Sequence, residues 1–283
     1  MATEAADFEV YPNAPLQLVA LELRFPFSPR LGTNEPLAFF HERLRDAFPF
    51  VEPLGQQQMV MMVGQPEGAS AIKTAPLPTQ SLFRLSSLDR TTAITVSGSN
   101  LIVETGHYVR YGLFRRMIEQ LLTVLGEFGG PVGVQRIGLR YIDEIRVPSV
   151  IDSPGDWSAY ISDELIAASH IGERASPELQ PESWRGLIEF ARAPDSHVVM
   201  RYGASVGYAV NPEGPLRIHR VSEPGPYFLL DLDSFWGNDE DLLEFSPDGL
   251  MEKCDQLHRP VRAIFESVIT EQLRDEVLRR EPA

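Results

Sequence analysis

The sequence predicts an α+β fold: internally duplicated antiparallel β-sheets with long amphipathic helices packed on one face. Three observations lead there. Short runs alternate apolar and polar residues and are joined by tight turns, which pairs neighbouring strands antiparallel. Two long segments repeat apolar residues at helical spacing, and each needs a sheet face to cover. The succession strand, helix, loop, meander, long helix is read twice, over residues 16–128 and again over 134–278. The organisation expected is a polar leader at 1–12, an N-terminal half at 13–130 and a C-terminal half at 131–283. The two halves form one pseudo-symmetric unit, although their residues barely match.

Val19, Leu21, Leu23 and Phe25 alternate with polar neighbours as a half-buried strand, stopped by Pro26 and Pro29. Asn34 is placed to cap a helix opening near Pro36, with Leu37, Phe40, Leu44 and Phe48 as its stripe and Pro49 as its end. Met59 to Val63 suggests a strand, and the proline-containing stretch Gln65–Thr79 a loop. Leu82–Leu88, Thr91–Val96 and Leu101–Glu104 form a meander. Leu113 to Phe128 is a strongly amphipathic helix closed by Gly129-Gly130-Pro131, the joint between the halves. Val134–Val147 is a long strand, Asp156 caps a helix over Trp157–Ala168, and Ser169–Ser183 is a loop. Strands follow at Trp184–Arg192, His197–Tyr202, Val206–Val210, Leu216–Val221 and Tyr227–Asp233. A last helix spans Leu250–Leu278, kinked or divided by Pro260.

The chain has 283 residues, 43% of them hydrophobic, enough for a substantial core. No apolar run is long enough for a membrane span. The first ten residues hold three acids and no base, unlike a targeting signal, so a cytoplasmic location is expected. Forty acidic against 25 basic residues give a net charge of −15, which disfavours non-specific binding to nucleic acid. Only Lys73 and Lys253 are lysine, and neither sits in a P-loop context. Cys254 is the single cysteine, which excludes an intrachain disulfide framework.

Candidate chemistry is sparse. Gly203-Ala204-Ser205-Val206-Gly207 matches G-x-S-x-G, with Asp231 or Asp233 and then His258 in hydrolase order. A strand and turn follow Ser205 instead of the helix that a nucleophile elbow needs, so we read the segment as a bulged or hairpin crossing. Arg136, Arg140 and Arg146 share one face of the strand at 134–147 and are placed to grip a phosphate or carboxylate. The same pattern suits a ladder in which Glu144 and cross-strand acids pair with them, and that is the favoured reading. Asp143 interrupts the apolar face of that strand, where a carboxylate must be paired or bulged outward. Asp231 and Asp233 share a strand face and, with Asp143, sketch a site for a divalent metal in phosphoryl chemistry. Cys254 and His258, four apart on the last helix, are half of a zinc site at most. No cofactor is expected.

Three segments carry a resemblance: Tyr11–Leu16 running into the first strand, Arg136–Ile145, and Ala263–Arg274. They resemble an uncharacterised, sporadically distributed bacterial family with an N-terminal N-x-P-L strand opening, a central G-L-R-Y-I strand and a helix ending in F-x-x-x-I-T-x-x-L. The resemblance implies a setting in mobile or defence-related gene clusters and transfers no catalytic residue. Family members tend to carry Asn where this chain has Asp143.

The function expected is a binding or adaptor protein that holds a protein partner or a small anionic ligand on the free sheet face, away from membranes, with oligomerisation left open. A metal-dependent nucleotide or nucleic-acid enzyme is the alternative. A nucleic-acid reader using Arg136, Arg140 and Arg146 is the third.

Overall fold

The structure is a computed structural model that describes residues 9–54, 82–176, 178–179, 181 and 183–281. Its elements in chain order are β1 (Leu16–Arg24), α1 (Glu35–Leu44), β2 (Phe50–Leu54), β3 (Leu82–Ser86), β4 (Thr92–Val96), β5 (Asn100–Thr105) and α2 (Tyr111–Phe128). There follow β6 (Gly133–Val134), β7 (Arg136–Ile145), a 3-10 turn at Pro154–Ala159, α3 (Asp163–Ile166), a second 3-10 turn at Ala167–His170 and α4 (Ile171–Ala175). The chain ends with β8 (Trp184–Ala193), β9 (Ser196–Gly207), β10 (Gly225–Gly237), β11 (Leu243–Glu244), α5 (Pro247–Val268), α6 (Glu271–Leu273) and a π turn at Arg274–Leu278.

Among the described residues nine strands form one antiparallel sheet in the order β2-β3-β4-β5-β1-β7-β10-β9-β8, and β6 pairs separately with β11. The sheet is continuous through its middle, where β1 lies antiparallel to β7 with Val19 opposite Tyr141, Leu21 opposite Leu139 and Leu23 opposite Ile137. Residues directly opposite one another point to the same side, so the register sorts every strand into two faces. One face gathers Leu85, Ile94, Val103, Leu21, Leu139, Leu232 and Met200, all buried. The helices lie on this side. Phe40 of α1 meets Phe83 edge-on, Trp157 meets Phe228, and Tyr141 meets His258 of α5.

The buried residues of α2 are Phe114, Ile118, Leu121, Leu122, Val124, Leu125 and Phe128, and those of α5 include Met251, Cys254, Leu257, Val261, Phe265 and Val268. Both sets keep to steps of about three and four residues. Gly129 ends α2 in the left-handed conformation at φ 112°, and the amides of Gly129 and Gly130 return to the Gly126 and Leu125 carbonyls.

Several boundaries differ from the sequence reading. The helix opened by Asn34 stops at Leu44, and Phe48 is buried beyond its end. The expected strand at Met59–Val63 and the loop at Gln65–Thr79 lie outside the described residues. The long strand expected at Val134–Val147 breaks at Gln135, whose amide bonds the Arg24 carbonyl. The helix expected at Trp157–Ala168 is a chain of short turns opened by Ser153, with Asp156 completing the capping box. The strand expected at His197–Tyr202 runs on to Gly207 as β9, so only Val206 and Gly207 of the expected Val206–Val210 strand belong to a strand, while Tyr208–Val210 and Leu216–Val221 lie in the long β9–β10 connection. Pro260 does not divide the last helix: α5 runs through it, and the break falls at Ile269–Thr270, where Thr270 caps α6.

Candidate functional site

The face of the sheet away from the helices is polar in its middle. Register brings Glu22 of β1, Gly138 of β7 and Phe235 of β10 into one row, and Ile142 and Asp231 into another. Arg136 does not extend straight outward; its guanidinium folds back over Gly138. A Cβ at Gly138 would sit 2.6 Å from Arg136 Nη1. In that slot Arg136 pairs with Glu22, donates from Nη2 to both oxygens of Asp233 at 3.1 and 3.0 Å, and stacks 4.5 Å from the Phe235 ring.

Arg140 makes a fork with Asp231, Nε to Oδ1 at 2.8 Å and Nη2 to Oδ2 at 2.7 Å, and Arg201 of β9 reaches the same carboxylate at 3.5 Å. Asp231 is buried, whereas the side chains of Arg140 and Arg201 keep 27% and 31% of their surface, so the cations cap the anion from the solvent side. Arg146 closes the row. It donates to Glu144 at 2.8 Å and to the Gly207 carbonyl, between the rings of Tyr208 and Tyr227, while Glu144 also accepts from the Ala209 amide. The three arginines therefore stand on one face as expected and are paired with the chain's own acids.

This face is not open along its length. The connection at 208–224 closes one end. Its Arg217 and His219 amides bond the carbonyls of Arg90 and Gly106, and His219 stacks on His107 with ring centroids 3.7 Å apart. Burial first, and the His219 charge second, lower the His107 pKa.

Asp143 is not part of the ladder. It is 1% exposed on the helix side of β7, opposite Leu16 and Leu230, and its Oδ1 has no hydrogen-bond partner. Burial pushes its carboxyl up to about 8; Arg262 opposes the shift and Asp231 adds to it. Nearby, His258 is clamped between Tyr111, stacked at 3.8 Å, and the Tyr141 hydroxyl at 3.0 Å from Nδ1. Burial, then Arg262, brings its pKa down to about 4. Tyr111 and Arg115 both bond Asp255, which ties the start of α2 to α5.

These positions correct the sketched sites. Asp143 and the pair Asp231 and Asp233 lie on opposite faces of the sheet, so the three carboxylates do not converge. Asp231 and Asp233 are already held by Arg140, Arg201 and Arg136, and among the described residues no cluster suited to a metal ion forms. Ser205 lies opposite Tyr227 on the helix-free face, while His258 is on α5 behind the sheet, so no triad assembles. Gly203, at φ 150°, allows a close strand approach: a Cβ there would meet the Trp184 carbonyl oxygen at 2.0 Å. Cys254 is fully buried, its thiol pushed up to about 12 by burial. An open depression of about 470 Å³ lies on the outer side of α1 and α2, lined by mixed charges including Arg43, Arg116 and Glu127, away from both clusters.

Glu22, Arg201, Tyr111 and Tyr141 were not among the sequence candidates. Each acquires its role through a partner on another strand or helix, a pairing that local spacing does not encode. Comparison with protein-family models, with curated proteins and with solved structures returns no match to this chain. Among the described residues no helix is long and apolar enough to cross a membrane.

Proposed function

We propose that this chain is a binding or adaptor protein whose helix-free sheet face receives a folded protein partner. One observation carries the reading. Arg136, Arg140 and Arg146 are neutralised in place by Glu22, Asp233, Asp231 and Glu144 while keeping part of their surface. A free phosphate would have to displace buried carboxylates from fitted forks. A protein surface can instead lie over a pre-organised row of arginines and the part-exposed rings of Phe235 and Tyr208, the residue types that concentrate interface energy.

The strand order supports descent from a duplicated unit. Outward from the central pair, β1-β5-β4-β3 on one side mirrors β7-β10-β9-β8 on the other, and each half closes with a long helix. A single buried thiol suits the reducing cytoplasm, the location this reading assumes. The bacterial family that the chain resembles makes a mobile or defence-related gene cluster its genomic setting.

The test is partner retention after substitution on this face. A protein that co-purifies with the wild type should be lost with Ser205→Arg, on this face but outside the arginine–carboxylate pairs, and kept with Arg116→Glu on the outer surface of α2, both variants melting like wild type. Equal retention by the two variants would remove the reading. So would metal-dependent turnover of a nucleotide or nucleic acid by the purified protein that Asp231→Asn abolishes.

A further inference from the structure

The two edges of the sheet are built differently. At one end β2 is five residues long and contains Pro53, which has no amide to offer an incoming strand. At the other, β8 extends for ten residues with no proline, and its outer side has no strand partner among the described residues. The helix layer stops short of it. Ile188 and Phe190 point to the helix side yet are 36% and 39% exposed, and Leu187 on the opposite side is 61% exposed. A long, proline-free edge with apolar side chains on both faces is a template for another strand.

We propose that β8 pairs with β8 of a second copy of this chain, antiparallel about a two-fold axis through Leu187, so that one sheet runs through both molecules. The sequence of the strand selects the occupant and the register. A two-fold axis normal to the sheet makes one residue face itself. Four such self-pairings keep seven or more residues of β8 aligned, centred on Leu187, Ile188, Glu189 or Phe190. Centring on Glu189 opposes two like charges, and centring on Ile188 or Phe190 opposes no charges of opposite sign. Centring on Leu187 sets Arg185 of each copy against Glu189 of the other, twice, on the face that carries Leu187. On the helix side it sets Phe190 against Trp184 and Ile188 against Gly186. Arg185 has no ion-pair partner among the described residues, while Glu189 lies 3.5 Å from His197 Nδ1 and is 58% exposed. With Arg185, Glu189 and Arg192, the edge carries a local positive excess in a chain of net charge −15, which lowers the repulsion two copies would otherwise meet.

The full-length protein should sediment at twice its 31.7 kDa mass and dissociate on dilution. Under mild oxidation Leu187→Cys should cross-link into a covalent dimer, since facing Cα atoms lie about 4.5–5.5 Å apart. Ala191→Cys should not, because the two copies of that position would be about 26 Å apart. Arg185→Glu and Glu189→Arg should each weaken association about tenfold, and an equimolar mixture of the two should restore it as a heterodimer. A monomer at every concentration overturns the proposal, even one that captures an extended peptide from another protein. Cross-linking at Ala191→Cys in place of Leu187→Cys overturns the register, as does a dimer indifferent to both charge variants.

Discussion

Gly138 shows how one missing side chain organises a charged row. Its neighbours across β1 and β10 are Glu22 and Phe235, and the space above it holds the Arg136 guanidinium that joins Glu22 to Asp233. A Cβ would displace Arg136, because 2.6 Å leaves no room for both. Gly138→Ala should therefore release the guanidinium towards solvent and leave two half-buried carboxylates facing each other. We expect a loss of about 1–3 kcal/mol, the scale for leaving buried polar groups unpaired. If steric displacement of Arg136 is the cause, Gly138→Ala should cost much less when Arg136 is already Ala, a non-additivity read by chemical denaturation. Arg140 differs because its fork holds a buried partner. Arg140→Ala should cost about 3–5 kcal/mol by stranding Asp231, with Arg201 too distant to replace both bonds. Loss of under 1 kcal/mol in an equilibrium unfolding measurement would show that Arg201 takes over.

At the scale of elements, α5 explains how a helix carries Pro260 without breaking. Proline removes the amide that would bond the Gln256 carbonyl one turn earlier. Arg192, at the end of β8, donates to that carbonyl from Nη1 at 2.6 Å. The orphaned acceptor thus becomes a tether between the sheet edge and the helix. Pro260→Ala restores the helical bond and should stabilise the protein by about 1–3 kcal/mol. Arg192→Ala should destabilise the wild type and be nearly silent in the Pro260→Ala background; additive effects would refute the tether. Sequence periodicity revealed the stripes of α2 and α5 and the strands of the meander, because each is a local pattern of burial. It misplaced the break in the last helix, because rescue of the Gln256 carbonyl depends on an arginine 64 residues away. The arginine row was legible as a row, since strand alternation alone puts Arg136 and Arg140 on one face. Their partners were not, since register across β1, β7, β10 and β9 decides which acid meets which arginine.

For the whole molecule, the sheet separates two titrating environments. On the helix-free side the acids are paired with arginines. On the helix side Asp143 and His258 are both buried and both kept neutral, one with its pKa up to about 8 and the other down to about 4. The signs follow from proton binding. Between the unfolded value of 3.8 and about 8 the folded chain holds a proton on Asp143 that the unfolded chain has lost, so stability falls as pH rises. Between about 4 and the unfolded value of 6.5 the unfolded chain charges His258 while the folded chain does not, so stability rises with pH. The two slopes oppose each other up to about pH 6.5, and above it Asp143 acts alone. Wild type should therefore lose about 1 kcal/mol between pH 6.5 and 8, less than the full 1.4 kcal/mol per unit because Asp143 is half titrated near 8 and the unfolded His258 half titrated near 6.5. Asp143→Asn removes the titration while keeping the shape. Any fixed cost of its amide is the same at every pH, so the slope is the readout. Denaturation curves for Asp143→Asn should be flat over that interval and cross those of the wild type as pH rises. Parallel curves would show that Asp143 is ionised in the folded protein, held by Arg262 across the interface between β7 and α5.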